Sequence, residues 1–430
     1  MTKKTNPRRA PERTSSMPER PHTLEISLND TLVGTVTNVP GDKNSFAFDP
    51  AYRANDERPT LSLGFLADTG GLVDDVPTTN ARLPPYFSNL LPEGKLRDYV
   101  AEAADIHPQR EFLLLWALGK DLPGAIKVRA LEMSQQDEGK DADVRRAETS
   151  PLKFSLAGVQ LKFSALASAT GGMTVPVNGL GGDWILKLPS MTHEGVSENE
   201  FVMLGIAAAL GIETPDRRLL DPSEIQGLPE DVGQLKGKAL AVRRYDRPSD
   251  GARIHQEDFA QIFNQYPEQK YKNRNFSNIA AVITDQMGFD AGLEFVRRQI
   301  FNAIIGNGDM HLKNWSLVYP DGKTPKLAPA YDYLSTIPYI PSDKLALNFG
   351  GSKDFFPVDR ERTKRFADKA RLPAEAVWTA VEETSTRTWD EWKRSPAAEL
   401  IPDDVFAKID EHVEQSMARF DVPYAKPMQP

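Results

Sequence analysis

The chain contains no cysteine among its 430 residues. Disulfide bonds, thiol nucleophiles and thiolate-bound metals are therefore excluded, so any catalysis must rely on other side chains. The absence of cysteine is compatible with a reducing compartment, and we expect a cytoplasmic protein.

Long apolar runs are also missing. No stretch of about 18 apolar residues occurs, so no membrane-spanning helix is predicted. The N-terminus lacks the apolar segment of a secretory signal. The net charge of −9 at pH 7 is unfavourable for binding nucleic acid, so contact with DNA would require a basic partner.

The apolar content of 40% is sufficient for the cores of two or three domains. Two segments lack the apolar residues that a core requires. Residues 1–21 are rich in proline and basic residues and show no apolar periodicity, which predicts a disordered basic tail. Residues 134–150 are highly charged, which predicts a linker or a long surface loop.

The candidate catalytic and metal-binding residues lie in Gly306–Tyr333, which reads GNGDMHLKNWSLVYPDGKTPKLAPAYDY. Asp309 precedes Asn314 by five positions, which is the spacing of the aspartate and asparagine in the catalytic loop of protein kinases. Asp332 follows a strand-like run and could bind magnesium as the later metal-binding aspartate of kinases does. Glycine, asparagine and aspartate are also ordinary turn residues, but this combination favours a kinase.

Upstream segments supply further candidates. The predicted strand DWILKLP carries Lys187, which could contact nucleotide phosphates or reach the edge of the sheet. Ser197 and Glu200 open the next helix. They fit either a capping box or the kinase arrangement in which this helix supplies a glutamate to the lysine. The segment FSLAGVQLKFSAL, Phe154–Leu166, could present backbone N–H groups to phosphates or form an ordinary hairpin.

The order of predicted elements is that of a two-lobed kinase. Strands are predicted in Leu24–Phe65, including TLSLGFL, and again in KALAVRRYDR, where the hinge between lobes would lie. Helices dominate from Phe259 onward, apart from a strand-like KLALNFGG. We expect an α+β, protein-kinase-like fold with a β-rich N-terminal part, an extra α/β module and an all-α C-lobe. The expected divisions are a module at 22–133, an N-lobe at 151–247 and a C-lobe at 248–430.

Eight segments in order resemble the HipA family of serine kinase toxins from bacterial toxin–antitoxin pairs. They are NLLPEGKLR, DLPGAIKV, SLAGVQLK, ILKLPS, VRRYDR, NGDMHLKNWSL, PAYDYLS and LNFGGSK. The resemblance covers the chain from about Leu24 to the last helices. It implies use of ATP and Mg2+, a helix-turn-helix antitoxin of the HipB type, DNA contact only through that antitoxin, and a substrate of the translation apparatus, of the aminoacyl-tRNA synthetase class.

The resemblance also implies roles for individual residues. Asp309 would be the catalytic base, Asn314 and Asp332 the magnesium ligands, and Glu200 the ion-pair partner of Lys187. The expected nucleotide-binding residues are Lys187, Ser155, Gly158, Gln160, Lys162, Tyr245, His311 and Lys313. Ser155 would also be an autophosphorylation site whose modification inactivates the kinase. Arg243 lies where an acidic hinge residue is expected, so the adenine contacts differ there.

Two other functions fit parts of the sequence. A small-molecule kinase of the aminoglycoside or lipid type would share the Asp309, Asn314 and Asp332 pattern. A non-catalytic co-repressor that works with an antitoxin would not require these three residues. Their presence together favours an active phosphotransferase, and the N-terminal segments favour the HipA pattern.

Overall fold

A computed structural model of the chain describes residues 21–67, 71–73, 75–131, 162–168, 172–175, 181–228, 232 and 235–420. Within these residues the strands form three sheets. Three buried apolar clusters accompany them. No helix in the described part of the chain is long and apolar enough to cross a membrane.

Residues 21–131, called the N-terminal module below, form an antiparallel five-stranded sheet with strand order β4-β3-β2-β1-β5. The strands are β1 Thr23–Leu28, β2 Thr31–Val39, β3 Lys43–Phe48, β4 Thr79–Asn80 and β5 Ile126–Ala130. The helices are α1 Pro50–Ala54, α2 Pro85–Ser88, α3 Gly94–Ala103 and α4 Glu111–Leu118. In β1 the alternate residues Leu24, Ile26 and Leu28 are buried, as a sheet with one face on a core requires.

The strand predicted for TLSLGFL is wrong. Its residues Leu63–Phe65 form a short 3-10 helix. Ser62 explains the difference, because its hydroxyl accepts from the Gly64 N–H and donates to the buried Glu257 carboxylate. This local hydrogen bonding competes with strand pairing.

A second sheet has six strands in the order β10-β7-β6-β8-β11-β9. They are β6 Lys162–Ala167, β7 Met173–Thr174, β8 Trp184–Lys187, β9 Arg217–Leu220, β10 Ile225–Gln226 and β11 Ala239–Arg243. Helix α5, Val196–Ala209, connects β8 to β9. Strands β6 and β8 are antiparallel, and their register places Lys162 opposite Lys187. Both lysines therefore lie on the same face of the sheet.

The remaining residues are mainly helical. The helices are α6 Phe259–Ile262, α7 Phe276–Met287, α8 Phe289–Ile304, α9 Arg360–Ala370, α10 Ala374–Arg394, α11 Ala397–Leu400 and α12 Asp403–Arg419. One face of α8 is buried at Leu293, Val296, Ile300 and Ile304. This lobe differs from the all-α expectation in one element, a sheet of β12 His255–Asp258, β13 Ser316–Tyr319 and β14 Lys326–Leu327.

The small sheet fixes the segments that carry the candidate site residues. Strand β13 pairs with both β12 and β14, so the chain on either side of β13 is fixed. The loop between α8 and β13 carries Asp309 and Asn314, and the segment after β14 carries Asp332. The predicted strand KLALNFGG is wrong: the segment has no strand, although Leu345, Leu347 and Phe349 are buried in the core. Gly350 and Gly351, both with positive φ, turn the chain there.

Polar contacts join the N-terminal module to the rest of the chain. The Asp121 carboxylate accepts from Arg244 Nη1 at 3.0 Å and from Arg247 Nη2 at 3.2 Å. Asp246 accepts from the Gly124 N–H at 2.8 Å. Partial burial opposes ionisation of Asp121, but Arg244, the Gly181 N–H and Arg247 more than offset it and lower the pKa of Asp121.

Candidate active site

Lys187 is the centre of the candidate site. It ends β8 and is only 5% exposed, although an unpaired charge in such a position is costly. Its ammonium group contacts two carboxylates, those of Glu200 on α5 and Asp332 after β14. Burial favours the neutral amine, but Asp332 and Glu200 more than offset it and raise the pKa of Lys187. Lys187 is therefore charged and fixed by two acids.

Glu200 forms the ion pair and does not close a capping box. The N-cap of α5 is Gly195, without a side-chain capping bond, and Ser197 Oγ has no hydrogen-bond partner in the described structure. Glu200 is 3% exposed, and burial raises its pKa despite the opposing effect of Lys187. Of the two alternatives for Glu200, the geometry fits the lysine partner.

Asp332 is held by two cations. Its Oδ1 contacts Lys187 and its Oδ2 lies 3.5 Å from Lys162 Nζ. Burial opposes its ionisation, but Lys162 and Lys187 outweigh burial and lower the pKa of Asp332. The backbone at Asp332 has φ 55°, in the left-handed region that aspartate tolerates better than most residues. Such conformations are common where a side chain must be aimed at a functional site.

The Asp309 loop is a hydrogen-bonded unit. Asn314 Nδ2 donates to the Asp309 carbonyl at 2.8 Å. Asn307 Nδ2 donates to the Asp332 carbonyl at 3.2 Å, which joins this loop to the segment that carries the second acid. The Gly308 N–H donates to Thr336 Oγ1 at 2.9 Å. A Cβ at Gly308 would lie 2.1 Å from Asp343 Oδ2, so a side chain there would displace the Asp343 carboxylate.

The Asp309 carboxylate accepts a hydrogen bond of 2.5 Å from the Tyr271 hydroxyl. Burial raises the pKa of Asp309, and the bond from Tyr271 partly opposes this. His311 Nε2 lies 3.9 Å from Asp309 Oδ1. Burial lowers the pKa of His311 to about 3, so it is neutral near pH 7 and forms no ion pair with Asp309.

The residues fit the magnesium arrangement of kinases, in which the protein supplies few ligands and substrate phosphates supply others. Among the described residues no group of three or more acidic or histidine side chains is placed to hold a metal ion. Asn314 donates its Nδ2 within the loop, which leaves Oδ1 as an acceptor. Asp332 is ionised and 27% exposed. These two oxygen donors would hold the ion.

The remaining predicted residues make other contacts or lie outside the described chain. Lys313 Nζ contacts Glu93 at 2.8 Å and the Asn89 carbonyl at 3.1 Å, so it points to the N-terminal module. Tyr245 packs against Tyr331 with ring centres 6.0 Å apart. Ser155, Gly158 and Gln160 lie outside the described residues, and their roles stay predictions.

Several contributors to the site had no recognisable sequence pattern. Tyr271, Thr336 and Glu93 lie in loops or turns and contact residues 28 or more positions away, and Asp343 accepts from Thr336. Local spacing could not identify them, because their contacts depend on tertiary structure.

Comparison with known proteins places the chain in a family. The HipA-like C-terminal domain matches residues 154–392 and the HipA N-terminal domain matches residues 24–129. The chain belongs to the HipA family. This confirms the family resemblance drawn from the eight segments.

Individual HipA relatives are similar over most of the chain. A Sinorhizobium fredii protein named "Putative kinase Y4dM" is 45% identical over 389 residues, covering 89% of this chain and 95% of the relative. The Shewanella oneidensis protein named serine/threonine-protein kinase toxin HipA is 25% identical over 354 residues, covering 74% of this chain and 76% of the relative.

A solved HipA structure confirms the α+β, kinase-like fold. The match is the Shewanella oneidensis MR-1 complex of HipA, HipB and operator DNA, with a TM-score of 0.69 and 21% identity. It covers 92% of this chain and 96% of that chain.

Proposed function

We propose that this HipA-family protein is an ATP- and Mg2+-dependent protein-serine/threonine kinase. One observation carries the proposal: Lys187 contacts both Glu200 and Asp332. A lysine on a strand, a glutamate on the next helix and a later aspartate form the group that holds nucleotide phosphates and metal in kinases. The Asp309 and Asn314 loop is hydrogen-bonded to the backbone of that aspartate.

The residues divide the chemistry between them. Bound Mg-ATP supplies the transferable phosphoryl group and the metal charge that neutralises it. Lys187 and Lys162 present two positive charges on one sheet face for the phosphates. Asp309 accepts the proton of the substrate hydroxyl, and its side chain is 53% exposed, so a substrate can reach it. Burial raises its pKa, which moves it toward the range suited to a general base near neutral pH.

The toxin role and its partners rest on the relatives. The Shewanella oneidensis relative is named a kinase toxin, and the solved HipA structure contains HipB and operator DNA. By analogy we propose a helix-turn-helix antitoxin as the partner of this chain, with DNA bound through it. The net charge of −9 supports this, because such a chain attracts DNA weakly. The proposed substrate is a protein of the translation apparatus, of the aminoacyl-tRNA synthetase class.

We further propose that Ser155 is autophosphorylated and that this inactivates the kinase. Phosphoserine adds roughly −1.5 to −2 charges at neutral pH. In a segment that faces ATP phosphates, a fixed anion would oppose nucleotide binding. The support is the SLAGVQLK segment alone, which the family resemblance assigns to phosphate binding.

Intact-mass measurement tests both proposals. Wild type and the variants Asp309→Asn and Ser155→Ala would be incubated with Mg-ATP. We expect one added phosphate on wild type only, and ADP formation by wild type and Ser155→Ala but not Asp309→Asn. ADP formation without added mass would refute autophosphorylation alone. Unchanged ADP formation by Asp309→Asn would exclude Asp309 as the base, and no ADP formation by wild type would refute the kinase assignment. Phosphoproteomics after controlled expression of wild type and Asp309→Asn would then identify the substrate.

A further inference from the structure

Glu93 of the N-terminal module contacts two lysines from the kinase part of the chain. Its carboxylate accepts from Lys270 Nζ at 2.9 Å and lies 2.8 Å from Lys313 Nζ. Lys313 also donates to the Asn89 carbonyl at 3.1 Å. Partial burial opposes ionisation of Glu93, but Lys313 and Lys270 more than offset it and lower the pKa of Glu93 to about 2. Glu93 is therefore an anion between two cations.

Both lysines belong to segments that hold Asp309. Lys313 lies within the Asp309 loop, in its 3-10 helix Leu312–Asn314. The Lys270 carbonyl accepts from the Leu312 N–H at 3.2 Å. The residue after Lys270 is Tyr271, whose hydroxyl donates to Asp309 at 2.5 Å. One carboxylate thus connects the two segments that contact the candidate base from either side.

We propose that Glu93 is a positioning residue that fixes Asp309 for phosphoryl transfer, so that the N-terminal module contributes directly to the active site. This inference rests on the proposed kinase function. Glu93 has no contact with Lys187, Glu200 or Asp332 among the described hydrogen bonds and ion pairs. Glu93 therefore affects the position of Asp309 and has no direct effect on the group that would bind the phosphates.

The charge balance explains the expected effect. Without the Glu93 anion, the two ammonium groups have no carboxylate between them. Among the described hydrogen bonds, the one to the Asn89 carbonyl then remains for Lys313. The two lysines would separate, and each would move a segment that contacts Asp309. Misplacement of a reacting group by about 1 Å can cost about 10²-fold in rate. We therefore expect Glu93→Gln to lower the rate at saturating ATP by roughly 10- to 100-fold.

The chain offers a matched control in Glu268. Its carboxylate forms a bidentate salt bridge with Arg82 of the N-terminal module, with hydrogen bonds of 2.6 Å from Nη1 and 3.0 Å from Nη2. Glu268→Gln removes the same charge from the same interface, but its partner Arg82 does not contact the Asp309 loop. A loss caused only by a weaker interface would appear in both variants.

ADP formation from Mg-ATP is the first measurement, since it counts transfer to protein and to water alike. All enzymes carry Ser155→Ala in this assay, so that autophosphorylation does not inactivate them. For Glu93→Gln we expect a lower maximal rate with an unchanged ATP concentration at half-maximal rate. Glu93→Asp, which keeps the charge, should recover part of the rate. Glu268→Gln should match wild type. Equal maximal rates for Glu93→Gln and wild type would overturn the proposal while leaving the kinase function intact.

Hydrogen exchange provides a second measurement that does not depend on activity. Peptides covering residues 307–315 should exchange faster in Glu93→Gln than in wild type, whereas peptides covering 183–188 should be unchanged. Glu268→Gln should leave both unchanged. If wild type forms no ADP, the kinase function fails, and exchange still decides whether Glu93 orders the loop. Unchanged exchange at 307–315 in Glu93→Gln would refute the positioning role.

Discussion

Replacing Lys187 by methionine tests the electrostatics of the site through stability. Lys187 and Glu200 are 5% and 3% exposed, so the variant leaves Glu200 in the interior without its cation. Removing one partner of a buried ion pair costs about 3–5 kcal/mol. Asp332 contributes less to this loss, because it is 27% exposed and keeps Lys162 at 3.5 Å.

The penalty should depend on pH, since Glu200 can take up a proton. The pKa of Glu200 is already raised, and loss of Lys187 raises it further. A group with a raised pKa in the folded state is destabilising above its unfolded pKa, which is about 4.3 for glutamate. Protonation costs about 1.4 kcal/mol per pH unit above that value. The penalty is therefore limited to about 5 kcal/mol at pH 8 and to about 1.6 kcal/mol at pH 5.5.

Lys187 itself adds no pH dependence in this range. Its pKa is raised, so its contribution is complete below its unfolded pKa of about 10.4 and is lost only as the pH rises through the higher folded value. The change in penalty between pH 5.5 and pH 8 can thus be assigned to Glu200.

Urea unfolding followed by tryptophan fluorescence measures these effects. Lys187→Met should be about 3–5 kcal/mol less stable than wild type at pH 8 and much closer to it at pH 5.5. The double variant Lys187→Met with Glu200→Met should recover most of the loss at pH 8, because no unpaired buried charge remains. Stability of Lys187→Met within 1 kcal/mol of wild type at pH 8, or no recovery in the double variant, would refute the reasoning.

Three further predictions concern the chemistry. Asp309→Asn should lower the rate of phosphoryl transfer by about 10²–10⁴-fold, while the affinity for Mg-ATP, measured by calorimetry, stays nearly unchanged. Activity within a few-fold of wild type would exclude Asp309 as the base. Asp332→Ala should remove the gain in ATP affinity that Mg2+ provides, because it deletes a proposed metal ligand. Calorimetry with and without Mg2+ measures this, and a retained gain would show that Asp332 has a structural role only. Tyr271→Phe removes a hydrogen bond that lowers the pKa of Asp309, so the acid limb of the pH–rate profile should move to higher pH. An unmoved limb would contradict this assignment.

The sequence predicted those parts of the site that depend on local spacing. The five-residue interval between Asp309 and Asn314 corresponds to one hydrogen-bonded loop, because Asn314 reaches back to the Asp309 carbonyl. Lys187, on its apolar strand, is indeed buried. The free-energy cost of burying its charge is offset by Glu200 on the next helix and by Asp332 on a later segment. The kinase-like fold and the HipA family are confirmed.

Other features depend on partners that are distant in sequence. TLSLGFL alternates as a strand would, but Ser62 binds the buried Glu257, 195 positions away, and the segment turns. Likewise the apolar residues of KLALNFGG pack into the core without a strand partner for the segment. In both cases large apolar residues are buried, as a strand would bury them, but along a different backbone path.

The contacts of the N-terminal module fall on two edges of the candidate site. Asp121 binds Arg244 and Arg247 directly after β11, where the predicted hinge lies. Glu93 binds Lys313 beside the Asp309 loop. The family segments DLPGAIKV and NLLPEGKLR each supply one of these carboxylates. On the proposed kinase function, both carboxylates fix segments that must be held in place, one for nucleotide binding and one for the base. On the same proposal, the module is part of the catalytic unit.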